Sequence, residues 1–432
     1  MSKWDFDVIV AGGGLGGTVA AIAAARAGAR TVLLEKASCL GGTATKSMVC
    51  ELDGSYKNGR CMLPSIGREL VDHLLQVDAA KLYGEIPMSS NPGISCDRIR
   101  FHPEYMKLVL DQMVRNAGVT TLFLTQIKQV AQDNFGVCVT AGNLYESIDI
   151  TGKVLIDATG NSEAVYQLSP QATEKTPKEQ QQGVTMMFAL SNVDMPRFLE
   201  NLDRDKLAEI IRRGIEAKAF PYRIFAVCPL PGTQSISVNM TRVPDVDVES
   251  IEDMSAALME ARSQIQCAVP YICKNVRGCE KAYLSSIASS LGVRERRKIV
   301  GQQLLKGEDL VQCTSFSDAV ALGSYPVDIH RSDSSHAVQF VSIGGSGIYE
   351  IPFHCMVTKQ FGNVLAGGKN VYADDMAFGA MRTMPTVMGI GNAAGLAAAV
   401  AARGNHDLRT MSIEPVQETL RKVDYPDSAE RF

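Results

Sequence analysis

Three clusters of side chains in this sequence combine residue types that can move protons or hold an anion. The segment SYPVDIH offers Tyr325, Asp328 and His330. In an extended chain Asp328 and His330 share one face, as an oriented acid–base pair requires. A purely structural hydrogen-bonded pair would use the same spacing. The segment GVRERRKIVG carries Arg294, Arg296, Arg297 and Lys298. No helix or strand presents all four on one side, but Arg294 or Arg297 could grip a carboxylate through two parallel hydrogen bonds. The alternative is a solvated face paired with Glu295 and Glu308. Arg382, in GAMRTMPT, is the third candidate, either as a contact to a cofactor edge or as a substrate anchor. Tyr349 and His354, in YEIPFHC, are weaker ones.

The 11 cysteines add no metal site. Cys267, Cys273 and Cys279 are six apart, which suits neither zinc nor iron–sulfur ligation, and no metal is expected. There is no CxxC or Cx4C redox pair. Cys39 lies in a glycine-containing loop where it could tether a cofactor; packing as a small apolar residue is the alternative.

The elements that must position these groups begin with DVIVAGGGLGGTVAAIAAARAGARTVLLEK. FDVIVA reads as a strand and TVAAIAAARA as a helix closed by Gly28. RTVLLE reads as a second strand ending in Glu35. Gly12, Gly14 and Gly17 fit G-x-G-x-x-G: the first for a tight turn, the second for approach of a pyrophosphate, the third for helix–strand packing. With Leu15 and Gly16 they present N–H groups at a helix start, where the dipole favours a diphosphate. Glu35 can accept both ribose hydroxyls and repels a 2′-phosphate, which argues against NADP. The continuation EKASCLGGTATKSMV holds Lys36, Gly41, Gly42, Thr43, Ala44 and Thr45 in a second exposed loop, suited to a larger ligand that includes a flavin. KVLIDATGNSEAV supplies another strand ending in Ala158, Thr159 and Gly160. Near the end, GNVLAGGKNV, with Gly367, precedes a helix begun by Pro385. Its residues Met388, Gly389, Gly391, Asn392 and Ala393 are expected at the flavin, with the helix N-terminus stabilising charge on the pyrimidine edge. FAD is therefore the expected cofactor.

AGGGLGGTVAAIAAARAG, LLEKASCLGGTAT, IDATGNSEA, GVRERRKIVG, ALGSYPVDIH, YEIPFHC and MRTMPTVMGIGNAAGLAAA together resemble the FAD-dependent oxidoreductases of the glutathione-reductase superfamily. The closer similarity is to those related to fumarate reductase flavoproteins. The resemblance implies an α/β fold, with a discontinuous Rossmann-type FAD-binding domain of a parallel sheet plus a small antiparallel meander. It also implies an inserted α+β substrate or cap domain. The expected boundaries are 1–169 for the first part of the FAD domain, with an irregular and helical excursion over 53–104. The cap then spans 170–351 and the last part of the FAD domain 352–432. The implied chemistry is hydride transfer between flavin N5 and a small, anionic organic substrate, as dehydrogenation or alkene reduction. Arg297 or Arg294 would anchor the anion, and His330, oriented by Asp328, or Tyr325 would move the proton. A tailoring oxidase that passes electrons to oxygen is an alternative, as is an electron-transferring subunit acting with a partner. The chain departs from the family pattern at Asn161, Asp375, Met376 and Phe378.

No second strand–GxGxxG–helix unit is present, so the flavin would be reduced by its substrate or by a separate donor. Composition sets further bounds. A net charge of −4 without a basic tract argues against nucleic acid. The apolar stretch Met384–Ala402 is long enough for a membrane span, yet it is rich in Ala and Gly, and a helix buried against a sheet explains it better. The expected setting is cytoplasmic, without membrane partners.

Overall fold

The computed structural model describes residues 4–88, 93–133, 136–177, 180–200, 204–330 and 338–432. Its centre is a seven-stranded, mostly parallel sheet in a mixed α/β fold. Strand β1 (Asp5–Ala11) lies between β2 (Thr31–Leu34) and the strand Ser147–Asp157, parallel to both. Thr120–Leu122 extends the sheet beyond β2, and Val364–Ala366 pairs with the end of Ser147–Asp157. β1 and β2 are almost continuous apolar runs, as strands buried in the middle of a parallel sheet are.

The strand expected from KVLIDATGNSEAV starts earlier than Lys153 and runs over Ser147–Asp157. Its first half is antiparallel to Gly136–Gly142 in a meander with Gln126–Asp133; its second half runs parallel to β1. Gly152 sits where the strand changes role, and a Cβ there would lie 2.6 Å from Ile9 Cγ1.

Helix α1 (Leu15–Arg26) begins ahead of the expected Thr18, and Gly28, at φ +90°, follows its C-cap Ala27. It packs along the C-terminal helix Met384–Gly404, the candidate membrane span, which is mostly buried within the protein. The contact is backbone to backbone: a Cβ on Gly391 would stand 2.1 Å from Gly16 O, and one on Gly395 would stand 2.2 Å from Ala20 O.

The 53–104 excursion is more regular than its sequence indicates. It contributes to a three-stranded antiparallel sheet of Glu51–Asp53, Ser95–Phe101 and Ala80–Pro87, and it holds the helix Ser65–Gln76. Arginines interrupt the apolar alternation of Ser95–Phe101, but they pair across the strands. Arg98 meets Asp53 at 2.6 Å and Arg100 meets Glu51 at 2.9 Å.

A second hydrophobic core spans residues 184–291 and takes in Met48 and Cys50. It is built from a four-stranded antiparallel sheet and the long helix Ile251–Asn275. The segment expected as one unit over 170–351 is thus divided. The strands Ala319–Gly323 and Tyr349–Pro352 are wholly buried and belong to the first core, where Gly389 approaches Ala321.

Candidate flavin and substrate cleft

A cleft of about 620 Å³ opens over the end of β1 and the start of α1. The three motif glycines meet different needs there. Gly12, at φ +100°, would drive a Cβ to 2.6 Å from Ala158 O, and Gly17 would place one 1.9 Å from Gly12 O. Gly14 differs: nothing lies within 4 Å of its Cβ position, and it lines the cleft. Its missing side chain leaves space, not packing. Gly14 is also the N-cap of α1, so no side chain caps the first helical N–H groups. With Leu15 and Gly16 beside it, this is a seat for an anion at a helix N-terminus.

Glu35 is buried and binds the loop as well as lining the cleft. Its Oε2 accepts from Gly13 N–H at 2.7 Å; its Oε1 accepts from Ala37 N–H at 2.8 Å and from Lys46 Nζ at 3.2 Å. A carboxylate has about four acceptor positions, so one stays available to a hydroxyl. Lys36 lines the cleft but pairs with Glu163 at 3.0 Å. The second loop closes on the first. Gly41 N–H donates to Gly13 O at 2.8 Å, and a Cβ on Gly42 would lie 3.0 Å from Gly14 Cα. Thr43 lines the cleft, whereas Ala44 is buried and Thr45 donates to Leu40 O at 2.6 Å, holding the turn. Cys39 faces Thr45 rather than the cleft.

Ala158, Thr159 and Gly160 line the cleft, held by Asp157. One oxygen of this buried carboxylate accepts from Thr159 N–H at 3.0 Å and Oγ1–H at 2.7 Å, and the other accepts from Val165 N–H at 2.9 Å. Burial raises its pKa, against these hydrogen bonds. In the C-terminal helix, Met384 and Val387 face the cleft. Pro385, Met388, Gly389, Gly391, Asn392 and Ala393 instead point into the protein. Gly367 does so too, with its Cβ position 2.4 Å from Ile156; its neighbour Gly368 lines the cleft.

Of the catalytic candidates, Arg382 and Arg297 line the cleft. Arg382 Nη2 donates to Asp328 O at 2.9 Å and lies 3.5 Å from Asp328 Oδ2, while its buried Nε has no partner. Tyr325 OH donates to the same Oδ2 at 3.3 Å. Tyr325 and Asp328 are buried behind Arg382, and burial, with Asp328 nearby, pushes the phenol well above its usual range. Asp328 and His330 do lie on one extended strand, Val327–His330, but the His330 side chain is outside what the structure describes. Arg294 also stands behind Arg382, donating to Gly183 O at 2.7 Å; burial and the nearby Arg382 lower its pKa.

Arg297 is committed elsewhere. It donates to Glu249 Oε1 at 2.7 Å and lies 4.4 Å from the centre of the Tyr166 ring. Arg296 shares Glu249 at 3.1 Å. The counter-ion is thus Glu249, not Glu295 or Glu308. Burial raises the Glu249 pKa, but Arg297, Lys175 and Arg296 together hold it down at about 2. Tyr349 is wholly buried against Thr386, and His354 forms a 2.6 Å pair with Asp318, lining no part of the cleft.

Sequence reasoning missed several lining residues. Lys46 and Lys369 are two; Thr125, Gln126 and Ile127 are others. Those three sit at the start of an ordinary strand and carry no signal. Lys369 directly follows Gly367 and Gly368 and was discoverable there.

By fold and site, then, this is an α/β protein with a mostly parallel sheet and a dinucleotide-sized cleft over its glycine-rich β1–α1 turn. Residues 7–420 match the family model described as FAD dependent oxidoreductase, and the chain belongs to that family. No curated protein matches it. Among solved structures, it is similar to a geranylgeranyl bacteriochlorophyll reductase-like protein of Thermoplasma acidophilum, at 14% identity and TM-score 0.51, over 98% of this chain and 84% of that one. It is also similar to p-nitrophenol 4-monooxygenase of Pseudomonas putida DLL-E4, at 11% identity and TM-score 0.50, over 96% of this chain and 83% of that one. At such identities the likeness is one of fold. The protein is an FAD-dependent oxidoreductase, and the open Gly14 cradle, the uncapped start of α1 and the remaining acceptor of Glu35 fit that cofactor.

Proposed function

We propose that the enzyme transfers hydride between FAD and a small anionic organic molecule, by dehydrogenation or alkene reduction, in the manner of the fumarate-reductase-related flavoproteins. The observation that carries this reading is Arg382. It is a cleft-lining guanidinium with an unpartnered buried Nε, held from behind by Asp328, which Tyr325 holds in turn. Bound FAD supplies the hydride chemistry at N5. The protein's own groups do the rest. Gly14 to Gly16 and Glu35 seat the nucleotide. Arg382 binds the substrate's anionic group, and its planar fork suits a carboxylate. Asp328 and Tyr325 act as positioning residues, fixing the fork and offsetting its charge. The second core covers the cleft as a substrate cap and excludes water. A cytoplasmic setting and a separate electron donor or acceptor belong to the same proposal. An anaerobic screen of metabolites against the yellow holoenzyme tests it. Bleaching of the flavin absorbance by one small acid is the expected result. Bleaching only with a partner protein, or only with neutral compounds, refutes it.

A further inference from the structure

Six cationic side chains line the cleft, and five of them already have a carboxylate partner. Lys36 pairs with Glu163, Lys46 with Glu35, Arg296 and Arg297 with Glu249, and Arg382 with Asp328. The sixth is Lys369. Among the described residues no carboxylate lies within 4.0 Å of its ammonium, whose hydrogen bond is to the carbonyl of Arg294. An ammonium has three donors, so the others are open to a ligand.

The position of Lys369 is fixed from two sides. It follows Gly367 and Gly368, which press on α1 so closely that a Cβ at Gly16 would lie 2.5 Å from Gly367 O. Its stem crosses Gly160, whose Cβ position is 3.3 Å from Lys369 Cε. The ammonium is therefore held over Phe378, 5.7 Å from the ring centre, and the Arg382 guanidinium lies 6.0 Å from the same centre. Two cleft-lining cations flank one ring. One lacks a carboxylate partner and the other has an unpartnered Nε, so each keeps a donor that a ligand entering the cleft can use.

We propose that Lys369 and Arg382 together form the subsite for the substrate's anionic group, a carboxylate-sized oxyanion bridging the two. This rests on the reading of Arg382 given above and extends it to a residue outside the Asp328 chain. The charged groups around Lys369 are Glu163, Glu295, Asp375, Arg294, Arg382 and the 296–298 cations. Burial first, and Arg382 further, hold the Lys369 pKa down at about 8, against the opposing pull of Glu295 and Glu163. The subsite should therefore weaken when the ammonium loses its proton.

The test titrates FAD-loaded enzyme with acetate, succinate and inorganic phosphate in turn, following the visible flavin spectrum. Wild type should show a saturable perturbation with at least one of them near neutral pH. Its affinity should fall roughly tenfold or more by about pH 10, as a lysine is deprotonated well above its pKa. Lys369→Arg should keep binding without that fall, and Lys369→Met should bind at least roughly tenfold more weakly at neutral pH. FAD affinity, measured separately by fluorescence, should be unchanged in Lys369→Arg and within about threefold in Lys369→Met. Three results overturn the proposal: no anion response in wild type, an unaltered response in Lys369→Met, or weakened FAD binding with intact anion binding. The last would assign Lys369 to the cofactor diphosphate. The readout needs no turnover, so failure of the metabolite screen and failure of this subsite are separate outcomes.

Discussion

Replacing Gly14 by alanine separates the role of the glycine-rich turn in folding from its role in binding. In the folded chain the new Cβ meets nothing within 4 Å, and the residue has φ −65°, which alanine adopts without strain. Alanine is a poorer N-cap than glycine by about a few tenths of a kcal/mol up to roughly 1 kcal/mol. The stiffer unfolded chain returns about 0.4–1 kcal/mol. These nearly cancel, so the FAD-free Gly14→Ala protein should melt within a few degrees of wild type. With cofactor the outcome differs, because the methyl group occupies the space a diphosphate needs to reach the helix N–H groups. Losing one charge-assisted hydrogen bond costs about 1.5–3 kcal/mol, which raises the Kd for FAD roughly tenfold to a hundredfold. Gly17→Ala is the contrast: its Cβ would stand 1.9 Å from Gly12 O, which is backbone, so the fold itself should suffer, by roughly 1–3 kcal/mol or more. Fluorescence titration with FAD and melting of the stripped protein measure the two effects. If Gly14→Ala binds FAD within about threefold of wild type, the turn is not the diphosphate seat and the reasoning fails.

Tyr325→Phe removes one hydrogen bond to Asp328 and should cost roughly 1 kcal/mol of stability. Because Tyr325 positions Arg382 from behind, the variant should raise KM for the reducing substrate more than it lowers kcat; a collapse of kcat alone would make Tyr325 the proton donor instead. Glu249 gives a pH prediction. Its folded pKa of about 2 lies below its ordinary 4.5, so its stabilisation is present above 4.5 and lost as pH falls toward about 2. Glu249→Gln should therefore lower stability at neutral pH and flatten the acid limb of the melting-temperature profile; parallel profiles would refute the pairing with Arg296 and Arg297.

What the sequence disclosed followed the reach of each physical signal. The turn at Gly12 and Gly17 was legible because steric need at those points is local: one glycine requires a positive φ and the other has a carbonyl where its Cβ would be. The glycines of the C-terminal helix were legible as close contacts but not as to what they contact. Gly391 meets Gly16, whose position is known only once both helices are placed. Glu35 was found, but its grip on Gly13 was not, because that partner lies in a loop 22 positions back in sequence. The same limit applies to Arg297. Nothing in GVRERRKIVG points to Glu249, 48 positions away. The Asp328–His330 pair was read from alternation alone, and alternation cannot show that Asp328 turns toward Arg382 and Tyr325.

The pattern of neutralisation in the cleft supports the proposal that one groove holds two different anions. A cation paired with a carboxylate draws a ligand weakly, because the nearby negative charge offsets it and the side chain's donors are already in use. Lys46 and Arg297 are of this kind and serve to shape the wall through Glu35 and Glu249. Attraction is left in two places. One is the start of α1, where the positive charge is a helix dipole and unpaired N–H groups that no protonation change can remove. The other is the ring of Phe378, where Lys369 supplies a charge with no carboxylate partner and Arg382, though paired with Asp328, keeps an unpartnered Nε. The first is independent of pH and suits a cofactor that must stay bound. The second includes a group that titrates and suits a molecule that must leave. Raising the pH toward 10 should therefore release small acids from the cleft while FAD stays bound. If acids and FAD are released together, a single anion site governs both, and the division of labour drawn from these side chains is wrong.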